Sequence, residues 1–126
     1  MLKKLFFATI LLSFSVLISC NSKETKMLRH VVLFKFKDDA KPEQVKAVED
    51  AFRALPSKIK EIKDLEWGTN NSPEGLNEGL THCFFVTFAS EADRAVYLPH
   101  PDHKAFGALL TPILDKVVVV DYWAAK

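Results

Sequence analysis

The sequence predicts an α+β fold with the element order β-α-β-β-α-β, and three observations predict it. Four short stretches are rich in β-branched and aromatic residues: "RHVVLFKFK" (29–37), "LEWGTN" (65–70), "HCFFVTFA" (82–89) and "KVVVVDYW" (116–123). Between the first two, Val45, Val48, Phe52, Leu55, Ile59 and Ile62 recur in steps of three and four, one apolar stripe on a helix. Between the last two, Phe106, Leu109, Leu110, Ile113 and Leu114 mark a second helical region.

The chain opens on a segment outside this pattern. Lys3 and Lys4 precede an apolar run from Leu5 to Ile18, followed by Ser19 and Cys20. A basic start, an apolar stretch and a small residue before a cleavage point describe an export signal, and the run is shorter than the ~20 residues a membrane-spanning helix needs. Leu17-Ile18-Ser19-Cys20 resembles a bacterial lipoprotein signal. That resemblance implies residues 1–19 as signal, lipidation of Cys20, and a polar tether over residues 20–26, with an ordinary secretory peptide as the alternative. Residues 27–126 are then one small domain. Loss of Lys3 and Lys4 takes the formal net charge from +1 to −1, and no basic stripe remains, so nucleic acid is excluded as a partner. With Cys20 lipidated, Cys83 has no partner in its own chain and reads as a small buried hydrophobe.

Each element has a local reason. The first strand ends at the polar loop Asp38–Lys41, and Pro42 with Glu43 suits a helix start. Pro56 is expected to break that helix into a long and a short piece. The loop "NSPEGLNEG" (71–79) separates the second and third strands, and Glu74 and Gly75 read as turn residues. Ser90 followed by Glu91 and Asp93 reads as a helix N-cap with an acidic first turn. This helix is interrupted near Pro99 and restarts at Pro101. The order is a ferredoxin-like arrangement.

The strand faces carry a further expectation. His30, Val32, Phe34 and Phe36 share one face of the first strand, with Val31 and Leu33 on the other; the third strand splits in the same way. Helices cover one apolar face, and the other would stand in water unless a second copy covers it. The pattern predicts a homodimer whose sheets meet face to face.

"RHVVLFKFK", "LEWG", "SPEG", "THCFFVTFAS" and "YLPHPDHKAFG", with the ending "VVVVDYW", resemble the stress-responsive A/B barrel domain, or Dabb, family over about residues 27–124. The resemblance implies a dimeric α/β barrel of ferredoxin-like halves. The family's plant members include a cofactor-free polyketide cyclase. Its catalytic histidine is the second of an HPxH motif, matched here by His103, and its supporting tyrosine is matched by Tyr97. Histidines opening its first and third strands are matched by His30 and His82. The lipoprotein signal is a departure from the plant enzymes.

Two readings of "YLPHPDHKAF" follow. As a catalytic site, His103 lies in the first turn of a helix, whose positive end disfavours an imidazolium, and acts as general base beside Tyr97. As structure, His100 and His103 cap a helix across a kink. A metal reading is weaker: two histidines lack the three or four good ligands of a zinc site, and no HExxH or cysteine cluster is present, so no metal and no cofactor are assigned. His30 and His82 are expected to approach the same cavity, and His82, His100 and Trp67 to contact a ligand; Trp123 reads as core or cavity wall. The resulting expectation is an exported, lipid-anchored homodimer of the bacterial cell envelope. Asn21 after Cys20 favours the outer membrane. Its cavity, lined by His30, Tyr97 and His103, takes a small, partly apolar or polyketide-like molecule. The alternatives are a cofactor-free lyase or cyclase with His103 as base, and a dimerisation module without a ligand.

Overall fold

The structure is a computed structural model that describes residues 25–125. The expected signal segment and Cys20 lie outside the described residues. The elements run β1 (Leu28–Phe36), α1 (Pro42–Lys58), β2 (Asp64–Thr69), β3 (His82–Phe88), α2 (Glu91–Tyr97), α3 (Pro101–Leu110), a 3-10 turn (Thr111–Ile113) and β4 (Leu114–Trp123). The four strands form one antiparallel sheet in the order β2-β3-β1-β4. This is the ferredoxin-like α+β fold that the sequence predicts.

α1 begins where Pro42 needs no amide partner, and Gln44 Oε1 accepts the Lys41 amide at 2.9 Å. Its stripe buries Val48, Phe52 and Leu55 against the sheet, and Ile59 and Ile62 continue the core beyond the helix end. Pro56 does not break α1, contrary to expectation, and there is no short second piece. It sits in the last turn, so only Ser57 and Lys58 follow it, and the Ile59 amide still closes on the Leu55 carbonyl at 2.8 Å. A proline so near the end removes one helical hydrogen bond without a turn beyond it to misdirect.

Leu28, His30, Val32 and Phe34 of β1, and His82, Phe84, Val86 and Phe88 of β3, all face the helices and are buried. The centre is aromatic: Phe52 stacks on Phe84 at 4.1 Å between ring centroids, and Phe106 meets Phe52 edge-on at 4.8 Å. Leu109 is exposed rather than part of this core, and Ile113 and Leu114 belong to the 3-10 turn and the start of β4. The helical period does not continue past Leu110, because Pro112 redirects the chain into the turn.

The other sheet face carries Val31 and Leu33 of β1, Cys83 and Phe85 of β3, and Val118, Val120 and Tyr122 of β4, in matching register. Val120 is 50 % exposed and Tyr122 44 %. Cys83 is half-buried on this face, where desolvation raises its thiol pKa. Trp123 ends β4 largely exposed, so it is not a core residue in the single chain.

Candidate functional site

The break between α2 and α3 builds the site. Ser90 Oγ accepts the Asp93 amide at 3.0 Å and starts α2. Tyr97 ends it, and Pro99 cannot continue it. His100 then serves as N-cap of α3: its Nδ1 accepts the Asp102 amide at 3.2 Å, with Pro101 as the first helical residue. His103 therefore falls in the first turn of α3. Its Nδ1 lies 2.9 Å from the Leu98 carbonyl oxygen. A carbonyl only accepts, so Nδ1 carries a proton and donates it, and a neutral His103 has its lone pair on Nε2.

Between these helices and the inner side of β4 lies a cleft of about 370 Å³. Apolar side chains wall it, including Val32, Phe52, Phe106, Leu98, Val117 and Val119. Its polar groups are His30, Tyr97, His103 and Asp121. The Tyr97 and His103 rings are 4.2 Å apart at their centroids, and His30 meets the Tyr97 ring edge-on at 5.8 Å. Tyr97 is fully buried, and its hydroxyl has no hydrogen-bond partner among the described residues. Burial pushes the phenol pKa far up, so it stays protonated and remains a donor. A buried polar group without a partner is costly and rare in proteins, and here it sits in the wall of a cleft.

His30 is held by a residue that sequence reasoning missed. Its Nδ1 donates to Asp121 Oδ1 at 2.6 Å, and Asp121 Oδ2 accepts from Arg94 Nη1 at 2.9 Å. The register that opposes His30 to Asp121 on β4 makes the first contact. Burial lowers the His30 pKa against the pull of Asp121; His103 and Arg94 lower it further. No single-sequence motif signals Asp121, since its partner stands 91 residues away.

The structure brings His30, Tyr97 and His103 to one cleft and leaves the other expected contacts out of it. His82 lies on the same sheet face as His30, but four residues further along, about 13 Å away by strand rise. Both of its ring nitrogens are engaged, Nε2 with Glu49 at 2.9 Å and Nδ1 with Thr81 Oγ1 at 2.8 Å. Trp67 stacks on His82 and on Phe84 and does not line the cleft. His100 is the helix cap. No group of three or more His, Cys, Asp or Glu among the described residues is placed to hold a metal ion. One wall position is empty by sequence: a methyl group at Gly107, in the middle of α3, would meet nothing within 4 Å.

Comparisons with known proteins bear on the fold and the family. Residues 28–124 match the model of the Stress responsive A/B Barrel Domain family, Dabb. The chain is 38 % identical over 95 residues to the Arabidopsis thaliana stress-response A/B barrel domain-containing protein HS1, covering 75 % of this chain and 87 % of that one. It is 30 % identical over 99 residues to olivetolic acid cyclase of Cannabis sativa, covering 79 % and 98 %. Among solved structures, a hydroxynitrile lyase from Passiflora edulis superposes with a TM-score of 0.76 at 27 % identity, covering 81 % of this chain and 96 % of that one. A dimeric, ferredoxin-like protein of unknown function from Bacteroides fragilis superposes with a TM-score of 0.64 at 33 % identity, covering 78 % and 96 %.

Proposed function

The chain belongs to the stress responsive A/B barrel (Dabb) domain family, and from that premise we propose that it is a homodimer binding a small, partly apolar molecule in the cleft of His30, Tyr97 and His103. One observation carries the reading: a fully buried phenol without a hydrogen-bond partner among the described residues stands between two imidazoles in a mostly apolar cleft. A ligand hydroxyl or carbonyl would accept from Tyr97 and remove the cost of burying it unpaired. The dimer rests on the outer sheet face, whose exposed Val120 and Tyr122 and half-buried Val31, Leu33 and Val118 a second copy would cover, and on dimeric neighbours of the same fold. Export, lipidation of Cys20 and a place in the cell envelope belong to this proposal on the strength of the first twenty residues.

A second reading is a cofactor-free lyase or cyclase. The tethering of His103 Nδ1 to the Leu98 carbonyl favours it, because it fixes the tautomer that presents Nε2 as a base. His103 would take a proton next to a substrate carbonyl, and Tyr97 would donate to the developing enolate oxygen. Under this reading His103→Ala abolishes turnover with binding largely kept. A purely structural dimerisation module is disfavoured by the open volume beside His103.

Native mass spectrometry of residues 25–126 tests the main reading. The domain stands alone in the cyclase relative, which it covers over 98 % of its length. The expected result is a dimer carrying a small organic adduct that is lost in Gly107→Leu, which fills the cleft. A monomer would sink the dimer, and an adduct retained by Gly107→Leu would place it elsewhere.

A further inference from the structure

The Asp121 carboxylate serves two partners. One oxygen accepts from the buried His30 ring and the other from the guanidinium of Arg94, which stands on α2 three residues before Tyr97. Asp121 and His30 line the cleft, whereas Arg94 approaches Asp121 without lining it. We propose that Arg94 sharpens the ligand preference of the cleft: by engaging Asp121 it reinforces burial in keeping His30 an uncharged acceptor, so that the cleft favours neutral hydroxyl-bearing ligands over carboxylates. This rests on the reading of the cleft as a ligand site.

The argument is one of charge balance. The charged or titratable groups facing His30 are Asp121 from β4, Arg94 and Tyr97 from α2, and His103 from α3; β3 presents only the Phe88 ring. Asp121 favours an imidazolium, and Arg94 opposes it with a charge of the other sign at the same carboxylate. Burial is the largest influence on the ring and prevails over the pull of Asp121, and Arg94 adds to it at the same carboxylate, so the neutral ring is favoured. Its Nδ1 proton is committed to Asp121, so Nε2 accepts. A ligand hydroxyl suits that acceptor, and a carboxylate, which only accepts, does not. Tyr97 supplies the complementary donor. Without Arg94 the partly exposed Asp121 charge would face His30 alone. The ring would take up a proton more readily, and in its protonated fraction Nε2 is a donor, so the preference against carboxylates would weaken.

Imidazole NMR titration of residues 25–126 tests the first step without any ligand. Arg94→Gln is expected to raise the His30 midpoint by about half a pH unit or more. Arg94→Lys, which keeps a cation, should stay near the unsubstituted protein. In an Asp121→Asn background, Arg94→Gln should have no upward effect. An unmoved or falling His30 midpoint in Arg94→Gln overturns the proposal, even if the cleft binds ligands. The second step uses 4-butylphenol and 4-butylbenzoate as probes, followed by titration calorimetry. The unsubstituted protein should bind the phenol about tenfold more tightly or better, and Arg94→Gln should narrow that margin, most visibly toward pH 6; an unchanged margin overturns the role given to Arg94. Equal binding of the two probes by the unsubstituted protein overturns the selectivity. Binding of neither overturns it together with the ligand-site reading, while the titration still reports separately on Arg94.

Discussion

His30 and His82 open two neighbouring strands, face the same way, are both nearly buried, and each meets a carboxylate. They differ in how many ring nitrogens the protein itself satisfies. His82 has both occupied, by Glu49 and Thr81, and is packed between Trp67 and the edge of Phe36. His30 has one engaged, and its remaining surroundings include an unpartnered phenol and an open cleft. The first arrangement is closed and binds α1 to the sheet. The second leaves hydrogen-bonding capacity that no described residue uses. Burial and a carboxylate neighbour are common to both histidines, so it is the free ring nitrogen beside open space that makes His30 the candidate.

The largest expected effect is at the closed site. His82→Ala removes a buried ring from between two aromatic neighbours and strips Glu49 of its partner, so it should lower stability by about 2 to 3 kcal/mol in urea unfolding. A loss below about 1 kcal/mol would mean that the closed histidine is not a structural anchor. At the open site the sign reverses. Tyr97→Phe deletes a buried hydroxyl that no described residue satisfies, and should raise stability by about 1 kcal/mol while weakening any ligand bound there. Destabilisation by this change would reveal a partner for the hydroxyl and erase the contrast. The smallest effect is in pH. The folded-state pKa of His30 lies below its ordinary value of 6.5, so the unfolded chain takes up this proton first as pH falls. The His30 contribution is therefore complete above the unfolded value and is lost as pH falls through it toward the folded one. Thermal unfolding between pH 7.5 and 5 should show this decline, and His30→Gln should flatten it.

Much of this was legible from periodicity and punctuation. Steps of three and four placed α1, alternation placed the faces of β1 and β3, and Pro99 with Pro101 located the break that exposes Tyr97 and His103 to one cleft. The cleft's third wall was not legible. Asp121 reads as the polar residue after four valines, and only the β1–β4 register sets it against His30. Arg94 reads as a solvated residue of a short helix, and its role depends on where Asp121 lands. The family resemblance puts His82 at the cavity; alternation shows the face it takes, but its distance along the sheet from His30 depends on the β1–β3 register, which the sequence does not show. Pro56 misled for a related reason: a proline's effect depends on how much helix follows it, and α1 ends two residues later.

Gly107 has one more consequence. A helix interior disfavours glycine by about 1 kcal/mol relative to alanine, yet here the missing side chain is cleft volume. The position works as a dial on that volume. A single base change converts a glycine codon to an alanine codon, and successively larger residues there would shorten the space without moving the backbone or touching His30, Tyr97 or His103. In lineages that share this scaffold, the cleft volume can drift while its polar lining stays fixed, and the first step, glycine to alanine, would be repaid in helix stability.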